Sequence, residues 1–432
     1  MKIAFITLGC KVNIYESNAI KEELTKRGHI IVKDDEDADC YIINTCSVTN
    51  MADAKSRKMI RKCIKANPDA IICAIGCYIQ TSPEAREIDG IDIVLGNGNK
   101  STLVDLIEEK AKSNHKTKTI DVIDILNMHD YEKLGVTTYD HTRAFVKIED
   151  GCENFCTYCI IPYARGPVRC KKADDVIAEL NAITNKGYKE VVLSGIHTGK
   201  YKDGDLNLSG LVKRILNEVP LLKSLRLSSI EINEIDDEFI KLMKENSILA
   251  NHLHLPLQAG SNKVLSKMER KYNKEFFIDK INKIRTARPD ISITTDIIVG
   301  FPYEEEEDFM ETYNLAKELK LTKLHVFPYS MRRGTKAAEF PQVDDKIKKD
   351  RATRLIALSS ELEMNYAKEY IGKKLPMIIE QKSGNYMVGH TSNFLQIYLP
   401  YDEKLIKKEV LVLVKNVDNN KIFGQIEKIL EN

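Results

Sequence analysis

Three cysteines lie within eight residues, at Cys152, Cys156 and Cys159. Closely spaced thiolates are soft ligands that select iron-sulfur clusters, zinc or cuprous copper. Three protein thiolates on a metal cluster leave one metal position open, and an open position is where chemistry takes place. Gly151 and Asn154 allow the loop to curl so that the three sulfur atoms reach one cluster. The spacing therefore predicts a metal site and favours an iron-sulfur cluster.

A structural zinc site is the alternative interpretation of this triplet. Zinc normally takes four cysteine or histidine ligands, and Cys170 follows Cys159 as a candidate fourth ligand. Zinc knuckles, however, usually pair two short ligand units, whereas this chain has one triplet followed by a single cysteine. The spacing alone leaves both metals open.

A second set of cysteines follows three strand-like runs, at Cys10, Cys46 and Cys77. In open α/β sheets the carboxyl ends of parallel strands meet at one edge, where ligands bind. The three positions therefore predict a second three-thiolate site. Burial in the core is the alternative for any cysteine, and it is the interpretation we adopt for three others, Cys40, Cys63 and Cys73.

The composition limits the class of protein. A chain of 432 residues with 43% hydrophobic residues is long enough for two to four globular domains. Ten cysteines without a signal peptide or a membrane span predict a cytoplasmic protein with metal or redox chemistry rather than a disulfide framework. The net charge of +1 means that any nucleic-acid surface must be local.

The pattern of apolar runs predicts an α/β fold. Alternating strands and helices predict a parallel α/β domain over residues 1–110, and residues 111–141 are interpreted as a linker. Six strand-helix units predict a partial (β/α)6 barrel over residues 142–367. Strands without helices predict a small β-barrel over residues 368–432, a type of domain that often binds nucleic acid.

With these features together, the chain resembles the radical S-adenosylmethionine (SAM) methylthiotransferases over nearly its whole length. The triplet and its continuation at residues 160–166 are similar to the radical SAM signature of that family. The second set of cysteines matches the auxiliary-cluster cysteines, and the C-terminal barrel looks like a TRAM domain. The resemblance implies iron-sulfur clusters rather than zinc.

The family has branches that act on isopentenyladenosine in tRNA, on threonylcarbamoyladenosine in tRNA, or on an aspartate of a ribosomal protein. The chain is similar to the threonylcarbamoyladenosine branch at residues 7–13, 194–199, 228–231 and 325–330. It departs from the family pattern at three positions, Ala259, Tyr303 and Cys170. None of these is an implied cluster ligand, so they put details of SAM contact in question rather than the reaction.

The resemblance implies two 4Fe-4S clusters and SAM as cofactors. The triplet would hold the cluster at which SAM is cleaved to a radical that removes a hydrogen atom from carbon 2 of adenine. Cys10, Cys46 and Cys77 would hold the cluster that presents sulfur, and a second SAM would supply the methyl group. We expect SAM contacts from residues near strand ends, at Tyr158, Gly195, Ser229, Glu231, Gln258, Gly300, Phe301 and Pro302.

The implied partners are the anticodon stem-loop of tRNA, a one-electron reductant such as flavodoxin or ferredoxin, and a sulfur source, with the enzyme as a monomer. Phosphate contacts are expected from Lys55 to Lys65, from Arg165, Arg169, Lys171 and Lys172, and from Arg332, Arg333 and Lys336. Bases could stack on Tyr386, His390, Phe394 and Tyr398. A non-catalytic zinc-containing RNA-binding protein is the competing class.

Overall fold

The computed structural model describes residues 1–113, 117–139 and 142–430. The fold is α/β, as predicted: an N-terminal parallel sheet, two central parallel sheets and a C-terminal closed β-barrel follow one another along the chain. No helix in these ranges is both long and apolar enough to cross a membrane.

The N-terminal sheet has six parallel strands in the order β2-β1-β3-β4-β5-β6. The strands are β1 (Lys2–Thr7), β2 (Ile30–Val32), β3 (Cys40–Thr45), β4 (Ile71–Gly76), β5 (Ile93–Leu95) and β6 (Thr119–Asp121). The helices are α1 (Lys11–Lys26), α2 (Asn50–Ala66), α3 (Cys77–Thr81), α4 (Pro83–Arg86) and α5 (Leu103–Lys112). Strand β6 falls within the predicted linker but pairs with β5, and its three residues are too few for a recognisable period.

Both faces of this sheet are buried, which explains why its strands are continuous apolar runs. Along β3, Tyr41 and Ile43 face one core, whereas Cys40 and Ile42 face the other. The thiols of Cys40 and Cys73 lie 3.8 Å apart inside the second core. The interpretation of these cysteines as core residues is confirmed.

The central region contains two three-stranded parallel sheets, with orders β13-β10-β7 and β14-β15-β16. Its strands are β7 (Ala144–Lys147), β8 (Glu149–Asp150), β9 (Arg169–Cys170), β10 (Glu190–Ser194), β11 (Lys202–Asp203), β12 (Leu206–Asn207), β13 (Ser224–Leu227), β14 (His252–His254), β15 (Ser292–Val299) and β16 (Lys323–Pro328). Its helices are α6 (Ile161–Arg165), α7 (Ala173–Asn185), α8 (Leu208–Glu218), α9 (Asp237–Glu245), α10 (Asn262–Lys267), α11 (Lys274–Ala287), α12 (Glu306–Glu318) and α13 (Asp345–Lys368). The six predicted strands correspond to β7, β10, β13, β14, β15 and β16.

The two central sheets form the wall of a partial barrel. Outward residues such as Leu225 and Ile293 pack with the surrounding helices in the largest core. Because side chains alternate along a strand, Arg226 of β13, His254 of β14 and Asp296 of β15 face the interior. The interior of the barrel is therefore polar.

The C-terminal region is a closed barrel with the order β17-β18-β19-β21-β20. Its strands are β17 (Lys374–Ser383), β18 (Tyr386–Thr391), β19 (Gln396–Pro400), β20 (Glu409–Asp418) and β21 (Lys421–Ile429). Short 3-10 turns complete the chain at Lys100–Thr102, Ile125–Asn127, Thr198–Lys200, Ile232–Glu234, Lys336–Glu339 and Glu403–Leu405.

A loop of the C-terminal barrel packs against the amino-terminal end of the central barrel. The ring of Phe394 stacks on His252 at 4.5 Å and on His390 at 4.7 Å, and the guanidinium of Arg226 lies 5.2 Å from its centroid. The expectation that His390 and Phe394 stack RNA bases is therefore wrong, because Phe394 stacks on a residue of the central barrel and His390 stacks on Phe394. Tyr386 and Tyr398 pack against each other on the C-terminal barrel instead.

Candidate functional site

Three cysteines follow three neighbouring strands at one edge of the N-terminal sheet. Cys10 caps α1 after β1, Cys46 follows β3, and Cys77 begins α3 after β4. These strands are consecutive in the sheet, and neighbouring strands lie about 4.8 Å apart. The thiols are close enough for Cys77 to act electrostatically on both Cys10 and Cys46. The topology thus brings together three residues that are distant in sequence.

We call each set of three thiols a cradle, and close backbone packing shapes the cradle of Cys10, Cys46 and Cys77. Gly9 has a φ of +95°, and a Cβ atom there would lie 2.8 Å from Sγ of Cys46. Only glycine adopts this conformation readily and leaves the space free. Beside the cradle, the side-chain amide of Asn97 donates to Sγ of Cys77 at 3.5 Å and to the carbonyl of Ala164 at 2.7 Å.

Burial changes the proton affinity of the thiols. It raises the pKa of Cys10, and it raises the pKa of Cys46 to about 11. Because a thiolate is the form that binds metal, loading of this site would release protons.

The triplet lies on a tightly curled loop in the central region. Gly151 has a φ of +99°, and a Cβ atom there would collide with the carbonyl oxygen of Pro167. The N–H of Cys159 donates to the carbonyl of Cys156 at 2.9 Å, which closes a turn. The N–H of Cys152 donates to the carbonyl of Gly166 at 3.0 Å. Burial raises the pKa of Cys152 and raises the pKa of Cys159 to about 12.

A buried guanidinium lies beside the triplet. Arg270 approaches Sγ of Cys156 to 3.4 Å, donates to the hydroxyl of Tyr272 at 3.0 Å and forms an ion pair with Glu231. The ring of His197 approaches the triplet from another side, with Nδ1 3.6 Å from Sγ of Cys152. Sequence reasoning missed Arg270 because it lies 114 residues after Cys156 and no local motif marks it.

A cleft of about 200 Å³ opens at the triplet. Cys159 lines it together with two of the expected SAM contacts, Tyr158 and Gln258. Residues of the last two central strands complete the wall, among them Asp296 and Phe327. The cleft therefore lies at the carboxyl ends of the strands, next to the triplet.

The other expected SAM contacts lie elsewhere around the triplet. Phe301 is buried and packs edge-on against Tyr158 at 6.3 Å, and Glu231 pairs with Arg270. The N–H of Gly300 donates to Glu304 at 2.6 Å. None of the other six expected contacts is among the residues that line this cleft: Gly195, Ser229, Glu231, Gly300, Phe301 and Pro302.

Cys170 has other partners than the triplet. It lies on β9, where its Sγ accepts the N–H of Lys202 at 3.2 Å. Within the described ranges, no group of three Cys, His, Asp or Glu side chains is arranged to hold a single metal ion. Two sets of three thiols, each with a buried cation nearby, instead fit the negative charge of thiolate-ligated iron-sulfur clusters.

Four of the cations expected to contact phosphate near the triplet are buried, so the expectation is wrong for these four. Arg165 is completely buried, and Arg169 and Lys171 are nearly so. Arg332 is also buried, and it forms an ion pair with Asp53 at 2.8 Å. Distant acidic residues pair with these cations, which the local sequence does not reveal. Three of the expected cations stay exposed, Lys172, Arg333 and Lys336.

Helix α2 presents an exposed basic face. Its cations line a shallow groove, with Arg57, Lys58, Arg61, Lys62 and Lys65. Arg57 and Arg61 also line a second groove, which reaches Ile160 and Arg333. Ile160 in turn lines the cleft at Cys159. The three concave surfaces are thus neighbours, in a row from the basic face to the triplet, and we call this row the α2 track.

The comparisons with known proteins agree with this geometry. Residues 2–96 match the family described as Uncharacterized protein family UPF0004, and residues 146–316 match the Radical SAM superfamily. The chain is 43% identical to the threonylcarbamoyladenosine tRNA methylthiotransferase MtaB of Bacillus subtilis, over 99% of the chain and 97% of that protein. It is 37% identical to the tRNA-2-methylthio-N(6)-dimethylallyladenosine synthase of a Thermoanaerobacter species, over 98% of the chain and 92% of that protein.

A solved structure shares the fold. The radical SAM methyltransferase TsrM from Kitasatospora setae superposes with a TM-score of 0.55, covering 90% of this chain and 80% of that chain. The two are 14% identical, so this likeness concerns architecture alone.

Proposed function

The chain belongs to the radical SAM tRNA methylthiotransferases of the MtaB type, and from that membership we propose that it methylthiolates carbon 2 of N6-threonylcarbamoyladenosine beside the anticodon of tRNA. The observation that carries the proposal is the pair of three-thiol cradles, one at the strand ends of the N-terminal sheet and one beside the cleft in the central region. Its relatives with this activity in their names match the chain over nearly its full length.

The cofactors follow from the donor sets. Cys152, Cys156 and Cys159 would hold one 4Fe-4S cluster, and a second would be held by Cys10, Cys46 and Cys77. With SAM, such clusters supply the one-electron and sulfur-transfer chemistry that acid-base groups cannot direct at an aromatic C–H bond. The proposed reaction also requires a one-electron reductant, such as flavodoxin or ferredoxin, and a sulfur source. We place the reaction in the cytoplasm, where tRNA is available.

The residues of this chain would orient and shield these groups. Arg270 neutralises negative charge beside Cys156, and Asn97 donates to Cys77 beside the second cradle. We propose that Tyr158 and Gln258 contact SAM in the cleft, with Phe301 supporting the ring of Tyr158 from behind. Roles for Gly195, Ser229, Glu231, Gly300 and Pro302 stay predictions.

The α2 track is the proposed tRNA surface. Phosphate groups account for much of the affinity of proteins for nucleic acid, and exposed lysine and arginine bind them. The track joins a row of such side chains to the cleft at Cys159. A stem-loop bound along α2 would therefore extend the unpaired base beside its anticodon into the cleft.

We propose a division into three parts: an N-terminal unit, a radical SAM unit over residues 142–367 and a TRAM-like barrel over residues 368–432. The pairing of β6 with β5 supports extending the first unit beyond residue 110, to residue 121.

The nucleoside profile of tRNA tests the proposal. Mass spectrometry of tRNA from a strain that lacks the protein should show threonylcarbamoyladenosine without its 2-methylthio form, and the restored gene should bring that form back. Loss of methylthio-dimethylallyladenosine would instead identify the other tRNA substrate. An unchanged profile for both would contradict the proposal. Protein purified without oxygen should contain iron and sulfide, whereas zinc without sulfide would support the non-catalytic class.

A further inference from the structure

Lys11 is the first residue of α1 and directly follows Cys10. Its side chain is exposed to solvent, yet the charges of Arg226, Arg143 and Asp296 all act on it. Because the Lys11 side chain is accessible to water and is also close to these charged groups, it lies in a cleft. Arg226 and Asp296 face the interior of the central barrel, and Asp296 also lines the cleft at Cys159. Lys11 therefore projects from the N-terminal region into that interior.

The neighbouring charges have partners, whereas Lys11 forms no ion pair or hydrogen bond with any residue that the structure describes. Asp296 lies 3.2 Å from Nε2 of His254. Glu190 pairs with Arg143 at 2.6 Å and with Arg226 at 3.3 Å. An unpaired ammonium group beside two guanidinium groups favours the approach of an anion.

We propose that Lys11 binds a carboxylate inside the central barrel, and that this carboxylate belongs to the threonine part of the modified base. The inference rests on the proposed function and extends it to a residue that selects the substrate. Lys11 would act by binding the base, without taking part in bond formation.

The chemistry of the two tRNA substrates named for the relatives supports this choice. A threonylcarbamoyl group ends in a carboxylate, whereas a dimethylallyl group is apolar. Placing the apolar group against Lys11 would remove water from the ammonium group without replacing its hydrogen bonds, and this desolvation costs free energy. A site built around a charged contact can therefore reject the neutral analogue.

Binding measurements test the proposal without turnover. Cluster-loaded protein is titrated, without reductant, with anticodon stem-loops that carry threonylcarbamoyladenosine or its neutral threonine amide. We expect the wild type to bind the acid about tenfold more tightly than the amide, as for a hydrogen bond to a charged group. Lys11→Met should bring the two affinities within about twofold, and Lys11→Arg should retain most of the preference.

A matched control lies on the same helix. Lys26 is exposed at the other end of α1 and pairs only with Glu22 in the described part of the chain, so Lys26→Met should keep the wild-type preference. The iron content and the SAM affinity of Lys11→Met should equal those of the wild type. Weaker SAM binding by Lys11→Met, with the acid preference intact, would assign the carboxylate to SAM and overturn the proposal.

The wild-type comparison needs no variant, so it can overturn the proposal even if Lys11→Met fails to fold, and Lys11→Arg then tests the assignment to the charge at this position. Equal binding of acid and amide by the wild type would overturn the role of Lys11 and leave the proposed function standing. A cellular tRNA profile that keeps 2-methylthio-threonylcarbamoyladenosine would contradict the proposed function itself, so the two failures are distinguishable.

Discussion

Arg165 donates to the carboxylate of Glu16 at 2.7 Å, and this ion pair connects the two cysteine cradles. Arg165 ends the helix that follows the triplet, whereas Glu16 lies on α1, six residues after Cys10. The same guanidinium donates to Oδ1 of Asn13 at 2.6 Å. Its charge acts on the thiols of Cys10 and Cys77. One buried cation thus holds the N-terminal and central regions in register around the site.

Replacing Arg165 should destabilise the contact between the N-terminal and central regions. Arg165→Met leaves the buried carboxylates of Glu16 and Asp150 with fewer cations, and breaking a buried ion pair costs about 3–5 kcal/mol. We expect a loss of that size in the free energy of unfolding, measured with urea on protein without metal. Arg333→Met is the control, because its side chain is 96% exposed, and it should change stability by less than about 0.5 kcal/mol. Equal effects of the two variants would contradict the role of Arg165.

The two cradles should be separable by mutation. Cys156→Ala and Cys46→Ala should each lose about half of the bound iron, since each removes a ligand of one cluster. Cys156→Ala should lose reductive cleavage of SAM, whereas Cys46→Ala should keep it and form no methylthio product. Iron analysis and the yield of 5′-deoxyadenosine measure these outcomes. Cys63→Ala, which changes a core cysteine, should keep the full iron content. Methylthiolation by Cys46→Ala would contradict the assignment of the second cradle.

Neutral substitutions on α2 should weaken tRNA binding. Arg61→Gln and Lys62→Gln each remove one exposed charge from the α2 track. Each should lower the affinity for tRNA and reduce the slope of log affinity against log salt by about 1, with SAM binding unchanged. Lys244→Gln, on the exposed side of α9, is the control and should leave the slope as in the wild type. A slope that is unchanged in all three variants would place the tRNA elsewhere.

Glu304 should make stability depend on pH. Burial raises the pKa of its carboxyl group to about 7, although Arg351 lies 2.7 Å away. A carboxyl whose pKa rises on folding stabilises the fold fully below about pH 4.5 and loses that contribution as the pH rises through about 7. The side chain in Glu304→Gln stays neutral at every pH. As the pH rises across that interval, the free energy of unfolding of this variant should therefore increase relative to that of the wild type by up to about 3 kcal/mol. Urea unfolding at several pH values would contradict this if the difference stayed constant.

Local sequence patterns predicted the strands and the strand-end cysteines well. The six central strands appear as apolar runs, and Cys10, Cys46 and Cys77 each follow such a run, so the parallel sheet could be expected to gather them. The environment of Arg165 could not be predicted in this way. Its partner Glu16 lies 149 residues away, and a cation beside a cysteine motif looks the same in sequence whether it is buried or exposed.

The same limit applies to the aromatic residues of the C-terminal barrel. In sequence, Phe394 looks like a base-stacking residue. In the structure, the packing of the C-terminal barrel on the central barrel places its ring on His252. Strand β6 escaped prediction for another reason, because an edge strand of three residues has no period to detect.

The order of β1, β3 and β4 in the N-terminal sheet also bears on how such proteins are found in genomes. The three thiols are brought together by strand neighbours rather than by fixed spacing, so the segments between them can lengthen or shorten by evolution without moving the sulfur atoms. A search pattern with set gaps would miss such diverged members. A search for cysteines that end adjacent parallel strands would still detect them.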